Sequence, residues 1–288
     1  MKKIRRKQLI LILLFLPITV LAIVSLYLYS ITKPHSNQHL NLSDGRYFIA
    51  HATGSLKGYT YLNSKESLLN SLDNGYQYIE IDLQYTSDGN LVCVHDWEQF
   101  NKATIQNITG QDSNLFIKVP SIEEFKTRRI YGEYTPLTLT DVIEIQEKRS
   151  FTIVTDLICD AQSLNRYFIK EKRKNVMVEA FSENDYYRLK DAGYIPMLSI
   201  GCVNPFSCLQ FVTSHLSSRD INWITVEEHS SKRSLRLLKK LFHLKIALYT
   251  VNSPRFFKWH LGSDIDLIYT DNWNLEKQLN NYQDNSTQ

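Results

Sequence analysis

The 288-residue chain has few cysteines, no internal repeat, no low-complexity tract and no surplus of basic residues beyond its first seven positions. Its four cysteines show no C-x-x-C spacing, which argues against a structural zinc site. The absence of repeats and biased tracts argues against a solenoid or a low-complexity protein. The net charge of +3 comes from the five cations of MKKIRRK, and the remainder carries about −2. No basic face for nucleic acid is therefore expected.

Two cysteines, Cys202 and Cys208, lie close enough along the chain to form a local disulfide in an oxidising compartment. The alternative is that they are free, like Cys93 and Cys159, and act as small buried apolar residues. The sequence leaves both alternatives open.

The first 30 residues combine the basic flank with an uncharged apolar stretch over residues 9–29. A helix of this length, at about 1.5 Å per residue, would cross a hydrocarbon core of roughly 30 Å. A cleaved signal peptide has a shorter apolar region and a cleavage site of small residues, and no such site follows Tyr29. We therefore predict that residues 1–30 are a cytoplasmic basic flank and a transmembrane signal anchor, with the rest of this single-pass membrane protein extracytoplasmic.

The rest of the chain divides by composition into three parts. Residues 31–46 are polar and predict a linker, and residues 282–288 predict a polar tail. Residues 47–281 have the size of one barrel domain. Eight apolar segments predict strands: 47–51, 78–83, 151–156, 176–180, 195–200, 222–226, 245–250 and 266–270.

Helical patterns fall between most of these strands, and four of them open at a serine that could cap the helix: 64–75, 182–193, 231–242 and 253–263. Strands that alternate with helices in this way predict an α/β fold, the TIM (β/α)8 barrel. The run LVCVHD predicts a short extra strand in the long connection after the second barrel strand. Residues 97–137 follow it, and they predict either a substrate-binding lid or an insertion that only caps the barrel.

Four residues suited to acid–base or metal chemistry lie at or near strand ends. His51 follows the run Phe48–Ala50, Glu80 and Asp82 lie two apart in YIEIDL, and His95 closes LVCVH. Because residues i and i+2 of a strand point to the same side, the two carboxylates could share one hard cation. Each residue alone is more typical of a structural or solvated side chain. Burying both carboxylates in an apolar strand without a cation or donors would be costly, and the combination therefore favours a functional site.

The order and spacing of these residues resemble the glycerophosphodiester phosphodiesterase family, a branch of the phospholipase C-like phosphodiesterases. The family pattern runs from His-Arg through Glu-Asn-Thr, Gly-Ala, Glu-x-Asp, Thr-x-Asp-Gly and His-Asp to Trp-Thr-Val-Asn and Ile-Thr-Asp. The matching segments are Ile49-Ala50-His51, Asn63-Ser64, Asn74-Gly75-Tyr76, Glu80-Ile81-Asp82, Thr86-Ser87-Asp88-Gly89, His95-Asp96, Tyr249-Thr250-Val251-Asn252 and Ile268-Tyr269-Thr270-Asp271. The resemblance spans about residues 47–275 and implies the same barrel.

The resemblance also implies roles for individual residues. Glu80, Asp82 and Asp156 would hold a divalent ion, Ca²⁺ or Mg²⁺, and His51 and His95 would be the general acid and base. The order of the two histidine roles stays open. Tyr249 occupies the family's tryptophan position and is implied to line the substrate site. Asn252 could bind near the site or cap the following helix. Trp97 falls beside the proposed rim and could line the site, with core packing as the favoured alternative. Asp271 has two alternatives, a hydrogen bond near the site or a cap on the next helix, and capping is the expectation.

Four positions depart from the family pattern. Ala52 stands where the family has an arginine, so a guanidinium that would bind phosphate is missing. Leu62 replaces a glutamate, and Ile158 replaces a lysine two residues after Asp156, itself an aspartate in place of a glutamate. Four cations could supply the missing charge, although an ordinary solvated side chain is the alternative for each: Lys57, Lys118, Arg128 and Arg129.

The function that the resemblance implies is metal-dependent hydrolysis of a glycerophosphodiester or a related head group, with a small phosphodiester or lipid head group as the substrate. One alternative is a weakly active or inactive barrel that binds a surface glycolipid or polymer, because two expected cations are absent. Another is a phospholipase C or D that acts on intact lipids. Protein partners and oligomeric state are not predicted.

Overall fold

The computed structural model describes residues 17–23, 25–26, 29–30, 33, 45–105, 118–215 and 220–271, with the side chains of residues 258 and 259 left aside. Within this part of the chain, nine strands form one sheet. In chain order they are β1 (Phe48–Ala50), β2 (Tyr78–Tyr85), β3 (Leu91–Cys93), β4 (Thr152–Asp156), β5 (Val176–Ala180), β6 (Ile195–Ser199), β7 (Trp223–Glu227), β8 (Lys245–Tyr249) and β9 (Leu267–Thr270).

Eight of the strands are parallel and close into a barrel. The order is β1-β2-β4-β5-β6-β7-β8-β9, and β1 pairs with both β2 and β9. The predicted TIM-type barrel is therefore confirmed, and each predicted strand matches an observed one to within two residues at either end. The predicted extra strand is β3, which pairs antiparallel with the end of β2.

Nine α-helices accompany the strands in the described part of the chain: α1 (Lys65–Asp73), α2 (Trp97–Thr104), α3 (Ile122–Thr127), α4 (Leu139–Lys148), α5 (Ala161–Leu164), α6 (Glu183–Asp191), α7 (Pro205–His215), α8 (Lys232–Phe242) and α9 (Pro254–His260). Short 3₁₀ turns span Gly45–Tyr47, His51–Thr53 and Lys170–Asn175. Three of the four predicted serine caps, Ser64, Ser182 and Ser231, accept a backbone N–H of the first helical turn. The fourth, Ser253, precedes α9 without a side-chain cap.

Strand alternation divides the core into two layers. Side chains that point inward fill the barrel, and this inner cluster is Ile49, Val154, Met177, Met197, Ala247, Leu267 and Tyr269. Their neighbours point outward; Ile153, for example, joins the larger cluster between strands and helices. The same alternation of period two turns Glu80 and Asp82 inward above Tyr78, which packs against the inner cluster.

The long connection after β3 forms a small core of its own. Phe100 of α2 stacks on Phe125 of α3 with centroids 5.0 Å apart, and Ile130 and Tyr134 complete the cluster. Residues 97–105 and 118–137 therefore pack as an apolar layer beside β3 rather than as a bare loop. Residues 106–117 lie outside the described residues. The choice between lid and capping insertion stays open.

The N-terminal prediction rests mostly on residues outside those described. Residues 17–23, 25–26 and 29–30 are helical. Among the described residues, no helix combines the length and apolarity that crossing a membrane needs. The membrane anchor is thus not supported by the structure and stays a prediction from the sequence. The predicted linker lies outside the described residues except for positions 33, 45 and 46, and the predicted tail lies wholly outside them.

The four cysteines are free, so the structure does not contain the disulfide considered for Cys202 and Cys208. Cys208 lies on the inner side of α7, where its thiol is 3.8 Å from the carbonyl oxygen of Ser234. Cys202 is exposed in the loop ahead of that helix. The two side chains therefore lie in different environments, and the free alternative is the one observed.

The capping pattern predicts unequal effects for two similar substitutions. Ser182→Ala removes a hydroxyl that accepts the Asp185 N–H at 3.1 Å, and should lower the free energy of unfolding by about 1 kcal/mol. Ser253→Ala removes a hydroxyl without a capping bond and should change it by only a few tenths of a kcal/mol, on the scale of uncapped surface substitutions. Urea denaturation of both variants beside the wild type measures the difference. Equal losses would contradict the observed capping.

Candidate metal and acid–base site

Three carboxylates lie together at the carboxyl end of the barrel. Glu80 and Asp82 come from β2 and Asp156 from the end of β4, where parallel register pairs Asp82 with Asp156. Each contributes an oxygen, and these oxygens all lie within 4.8 Å of one another. The structure thus brings together all three predicted metal ligands. Carboxylate oxygens are the donors that Ca²⁺ and Mg²⁺ prefer.

The chain supplies each carboxylate with one neutral donor. The backbone N–H of Ala52 donates to Glu80 Oε2 at 2.5 Å, and Asn63 Nδ2 donates to Asp82 Oδ2 at 2.7 Å. The N–H of Leu157 donates to Asp156 Oδ1 at 2.6 Å. Glu80 Oε1 is buried and has no hydrogen-bond partner.

This imbalance leaves negative charge in a buried place. Burial raises the pKa of Glu80 well above its ordinary value, and the charges of Asp82 and Asp156 raise it further. A divalent cation would offset the cost of burying these charges, because it would neutralise the carboxylates and coordinate the unpaired oxygen of Glu80. The donor set therefore fits a hard divalent ion.

Ala52 occupies the position of the expected arginine and contributes its backbone instead. Its φ of 45° lies in the left-handed region, which a non-glycine residue adopts infrequently. In this conformation its N–H reaches Glu80. At this position the protein presents the backbone N–H of Ala52, whereas the resemblance predicts an arginine guanidinium.

The four candidate cations are engaged elsewhere. Lys57 pairs with Glu133, and Lys118 lies 3.9 Å from Glu124. Arg128 binds Glu124 and the side chain of Asn101, and Arg129 donates to backbone carbonyls. Among the described residues, none of the four contacts the carboxylate cluster.

His51 is held by a chain of hydrogen bonds. Its Nδ1 lies 2.7 Å from Asp271 Oδ1, and Asn252 Nδ2 donates to Asp271 Oδ2 at 2.8 Å. Thr270 Oγ1 and the Asp271 N–H both donate to Asn252 Oδ1 at 2.9 Å. Burial acts to raise the pKa of Asp271, but the hydrogen bonds from His51 and Asn252 outweigh it and lower the pKa. Asp271 therefore supports the histidine. The helix it was expected to cap lies outside the described residues.

His95 lies near His51, because the ring of Tyr61 contacts both imidazoles. Its Nδ1 is 3.4 Å from Asp96 Oδ2, and its backbone carbonyl accepts Gln84 Nε2 at 3.2 Å. Burial raises the pKa of Asp156, while both imidazoles act to lower it, which puts both rings within electrostatic range of that carboxylate. The two predicted acid–base residues thus lie near the three predicted ligands, at the same end of the barrel.

A cleft beside His95 encloses about 420 Å³ of empty space, solvent included. Its lining includes Tyr61, Asn63, Phe100 and Tyr131.

The three residues predicted to bind substrate lie in different surroundings. Tyr249 is half-buried at the end of β8, and its ring meets that of Tyr269 edge to face at 6.2 Å. Asn252 belongs to the hydrogen-bond chain behind His51. Trp97 packs against Phe100 and Phe125 in the apolar layer beside β3. Contact with substrate stays a prediction for all three.

Glu179 is a buried carboxylate of the site that the sequence reasoning missed. Tyr269 donates its hydroxyl to Glu179 Oε1 at 2.5 Å, and Thr225 donates to Oε2 at 3.1 Å. Burial, followed by the charge of Asp156, raises the pKa of Glu179 to about 8. Its signal in the sequence is weak: a lone glutamate in VMVEA, at an inward position two residues after Met177.

This combination of a closed parallel barrel with acidic and imidazole side chains at its mouth suits metal-assisted acid–base chemistry, and hydrolysis of phosphoric diesters is one reaction of that kind. Residues 54–195 match the model of the Glycerophosphoryl diester phosphodiesterase family. These residues are just under half of the chain, and over them the chain is similar to that family of phosphoric diester hydrolases.

Individual relatives are distant. The Bacillus subtilis (strain 168) protein YqiK, itself uncharacterised, is 26% identical over 217 residues, which cover 69% of this chain and 85% of YqiK. A glycerophosphodiester phosphodiesterase of Thermotoga maritima superposes with a TM-score of 0.59 at 20% identity, covering 81% of this chain and 97% of that protein. An Oleispira antarctica phosphodiesterase in complex with the product sn-glycerol-3-phosphate gives 0.57 at 17% identity, covering 81% and 96%. At these identities the two structures show the shared fold.

Glu179 predicts a specific pH dependence of stability. Its pKa is about 8 in the folded protein against an ordinary 4.5, so the carboxyl stays protonated when folded and ionises when unfolded between those two values. The wild type should therefore lose about 1.4 kcal/mol per pH unit relative to Glu179→Gln as the pH rises through that window, and the difference should level off above pH 8.

Urea denaturation in the presence of a chelator, from pH 5 to pH 9, measures this difference. The exposed Glu171→Gln is the matched control and should track the wild type. A difference between wild type and Glu179→Gln that does not change with pH would contradict the proposed protonation.

Proposed function

We propose that the chain hydrolyses a glycerophosphodiester, or a related small phosphodiester head group, with a divalent ion and two histidines. One observation carries the proposal: a buried three-carboxylate cluster, with an unpaired oxygen on Glu80, lies within electrostatic range of His51 and His95. The Oleispira neighbour with bound sn-glycerol-3-phosphate supports a substrate of this kind.

Glu80, Asp82 and Asp156 would hold the ion, which we propose to be Ca²⁺ or Mg²⁺ from the all-oxygen donor set. When bound, such an ion supplies Lewis-acid polarisation of a phosphoryl oxygen and offsets its charge. The N–H of Ala52 and the amide of Asn63 hold two of the carboxylates in place. Substrate orientation then depends on protein groups around the cleft.

The two histidines would move protons at the attacking and leaving oxygens. In-line displacement puts these oxygens on opposite sides of phosphorus, so an acid and a base must reach from two directions. His51, oriented by Asp271, and His95, beside the cleft, come from different strand ends. A neighbouring hydroxyl of a glycerol moiety could attack first and leave a cyclic phosphate, in line with the family resemblance.

A barrel that only binds a ligand is the second candidate, because Ala52 and Ile158 remove two cations that the family pattern contains. The buried carboxylate cluster weighs against it. A binding site for a neutral glycan has no need of three carboxylates at this separation, and each buried charge costs stability.

Two substitutions test the hydrolytic proposal directly. Glu80→Gln weakens the ligand set and His51→Ala removes one proton carrier, so each should reduce metal-dependent turnover about 100-fold or more while the protein stays folded. The measurement is release of sn-glycerol 3-phosphate from a panel of glycerophosphodiesters, with and without chelator. Glu171→Gln serves as the control and should keep full activity. Retained turnover in both site variants, or a wild type indifferent to chelator, would contradict the proposal.

We further propose that the N-terminal segment anchors the barrel to a membrane, with the barrel extracytoplasmic. The sequence carries this proposal, and the apolar side chains of Ile18, Leu21 and Leu26 are more than half exposed, which suits contact with lipid.

Alkaline extraction of membranes from expressing cells tests the anchor. The full chain should stay in the pellet, whereas a chain lacking residues 1–30 should be released. Full-length protein in the supernatant would contradict the anchor and leave the proposed hydrolysis unaffected.

A further inference from the structure

Tyr61 lies next to both imidazoles of the site. Its ring centroid is 4.7 Å from that of His51 and 4.9 Å from that of His95, and both contacts are edge to face. These two distances limit the separation of the imidazole centroids to about 10 Å. The tyrosine ring therefore borders the space in which a phosphorus atom would lie between an acid and a base.

The hydroxyl of Tyr61 faces an acidic environment. Burial raises the pKa of Tyr61, and the charges of Asp271, Asp82, Glu80 and Asp156 raise it further. The hydroxyl is therefore protonated at neutral pH and lies within electrostatic range of all four carboxylates. It has no hydrogen-bond partner among the residues that the structure describes, and the side chain is 43% exposed on the wall of the cleft.

The site also lacks a fixed cation. Five carboxylates surround it, and within the described ranges no lysine or arginine pairs with any of them: Glu80, Asp82, Asp156, Glu179 and Asp271. A phosphodiester anion entering this site would need donors beyond a bound metal ion. Neutral O–H groups meet that need without adding charge to be desolvated.

In-line displacement fixes where such a donor is useful. The attacking and leaving oxygens occupy the two apical positions and face the acid and the base, whereas the non-bridging oxygens lie between them. A side chain in contact with both imidazoles is suited to reach this equatorial side.

We propose that the Tyr61 hydroxyl donates a hydrogen bond to a non-bridging phosphoryl oxygen of the substrate, which makes Tyr61 a further catalytic residue. This inference rests on the proposed function. It gives one neutral replacement for the guanidinium missing at Ala52. The backbone of Tyr61 agrees with a functional constraint, because its φ of 54° is in the left-handed region that a bulky residue seldom adopts.

Tyr61→Phe isolates the hydroxyl, because the ring and its contacts with the two imidazoles remain. We expect kcat to fall about tenfold to 100-fold, on the scale of a lost oxyanion donor, with thermal stability unchanged. Affinity for sn-glycerol 3-phosphate, measured by calorimetry with saturating Ca²⁺ or Mg²⁺, should fall several-fold, while affinity for the metal alone should stay the same.

The matched control is Tyr59→Phe. Tyr59 is 42% exposed, like Tyr61, but it stacks on Tyr131 at 4.3 Å and makes no ring contact with either histidine. Its variant should keep wild-type values for kcat and for product affinity. If Tyr61→Phe matches Tyr59→Phe, or turns over faster than the wild type, the inference is overturned. A wild type without metal-dependent diesterase activity would instead reject the proposed function itself.

Discussion

Repulsion among the carboxylates of Glu80, Asp82 and Asp156 is the constraint on which the site depends. Their oxygens lie within 4.8 Å of one another, and the first two side chains are almost fully buried. Three such charges are stable together only if protons or a cation compensate them. Hydrogen bonds from Ala52, Asn63 and Leu157 offset part of the cost of burying these charges. One oxygen of Glu80 is buried without a hydrogen-bond partner.

Barrel closure holds this repulsion in place. The parallel register of β2 and β4 puts Asp82 beside Asp156. Apolar side chains fill the interior of the barrel below these carboxylates. The carboxylates and both imidazoles therefore lie at one rim of the barrel, where the eight-strand topology places active sites.

The parts of this arrangement that depend on strand periodicity could be predicted from the sequence. The alternation in YIEIDL predicted that Glu80 and Asp82 point to the same side, and the eight apolar segments predicted the eight barrel strands. The left-handed turns between β1 and α1, which bring Tyr61 to the histidines, leave no periodic pattern to identify. Asp271 was expected to cap a helix because a sequence does not reveal that residues 220 positions apart meet. Glu179 was missed because one glutamate in an apolar strand has no motif around it.

Among the residues that the structure describes, no lysine or arginine pairs with the carboxylates of the site, unlike the pattern of the family that the chain resembles. Lys57, Lys118, Arg128 and Arg129 each have other partners, so the local charge is set by carboxylates and imidazoles. Anion binding at such a site depends strongly on a bound metal ion and on neutral donors such as Tyr61. We therefore infer that metal and substrate bind with positive coupling, because each reduces the electrostatic cost of the other.

The location of the metal is the point on which this account stands. Anomalous diffraction from crystals of the protein grown with Mn²⁺, a scattering substitute for Mg²⁺, measures it directly. The account predicts one strong anomalous peak within coordination distance of oxygens of Glu80, Asp82 and Asp156. A peak elsewhere, or a cavity at these three residues that holds no metal under saturating Mn²⁺, would contradict it.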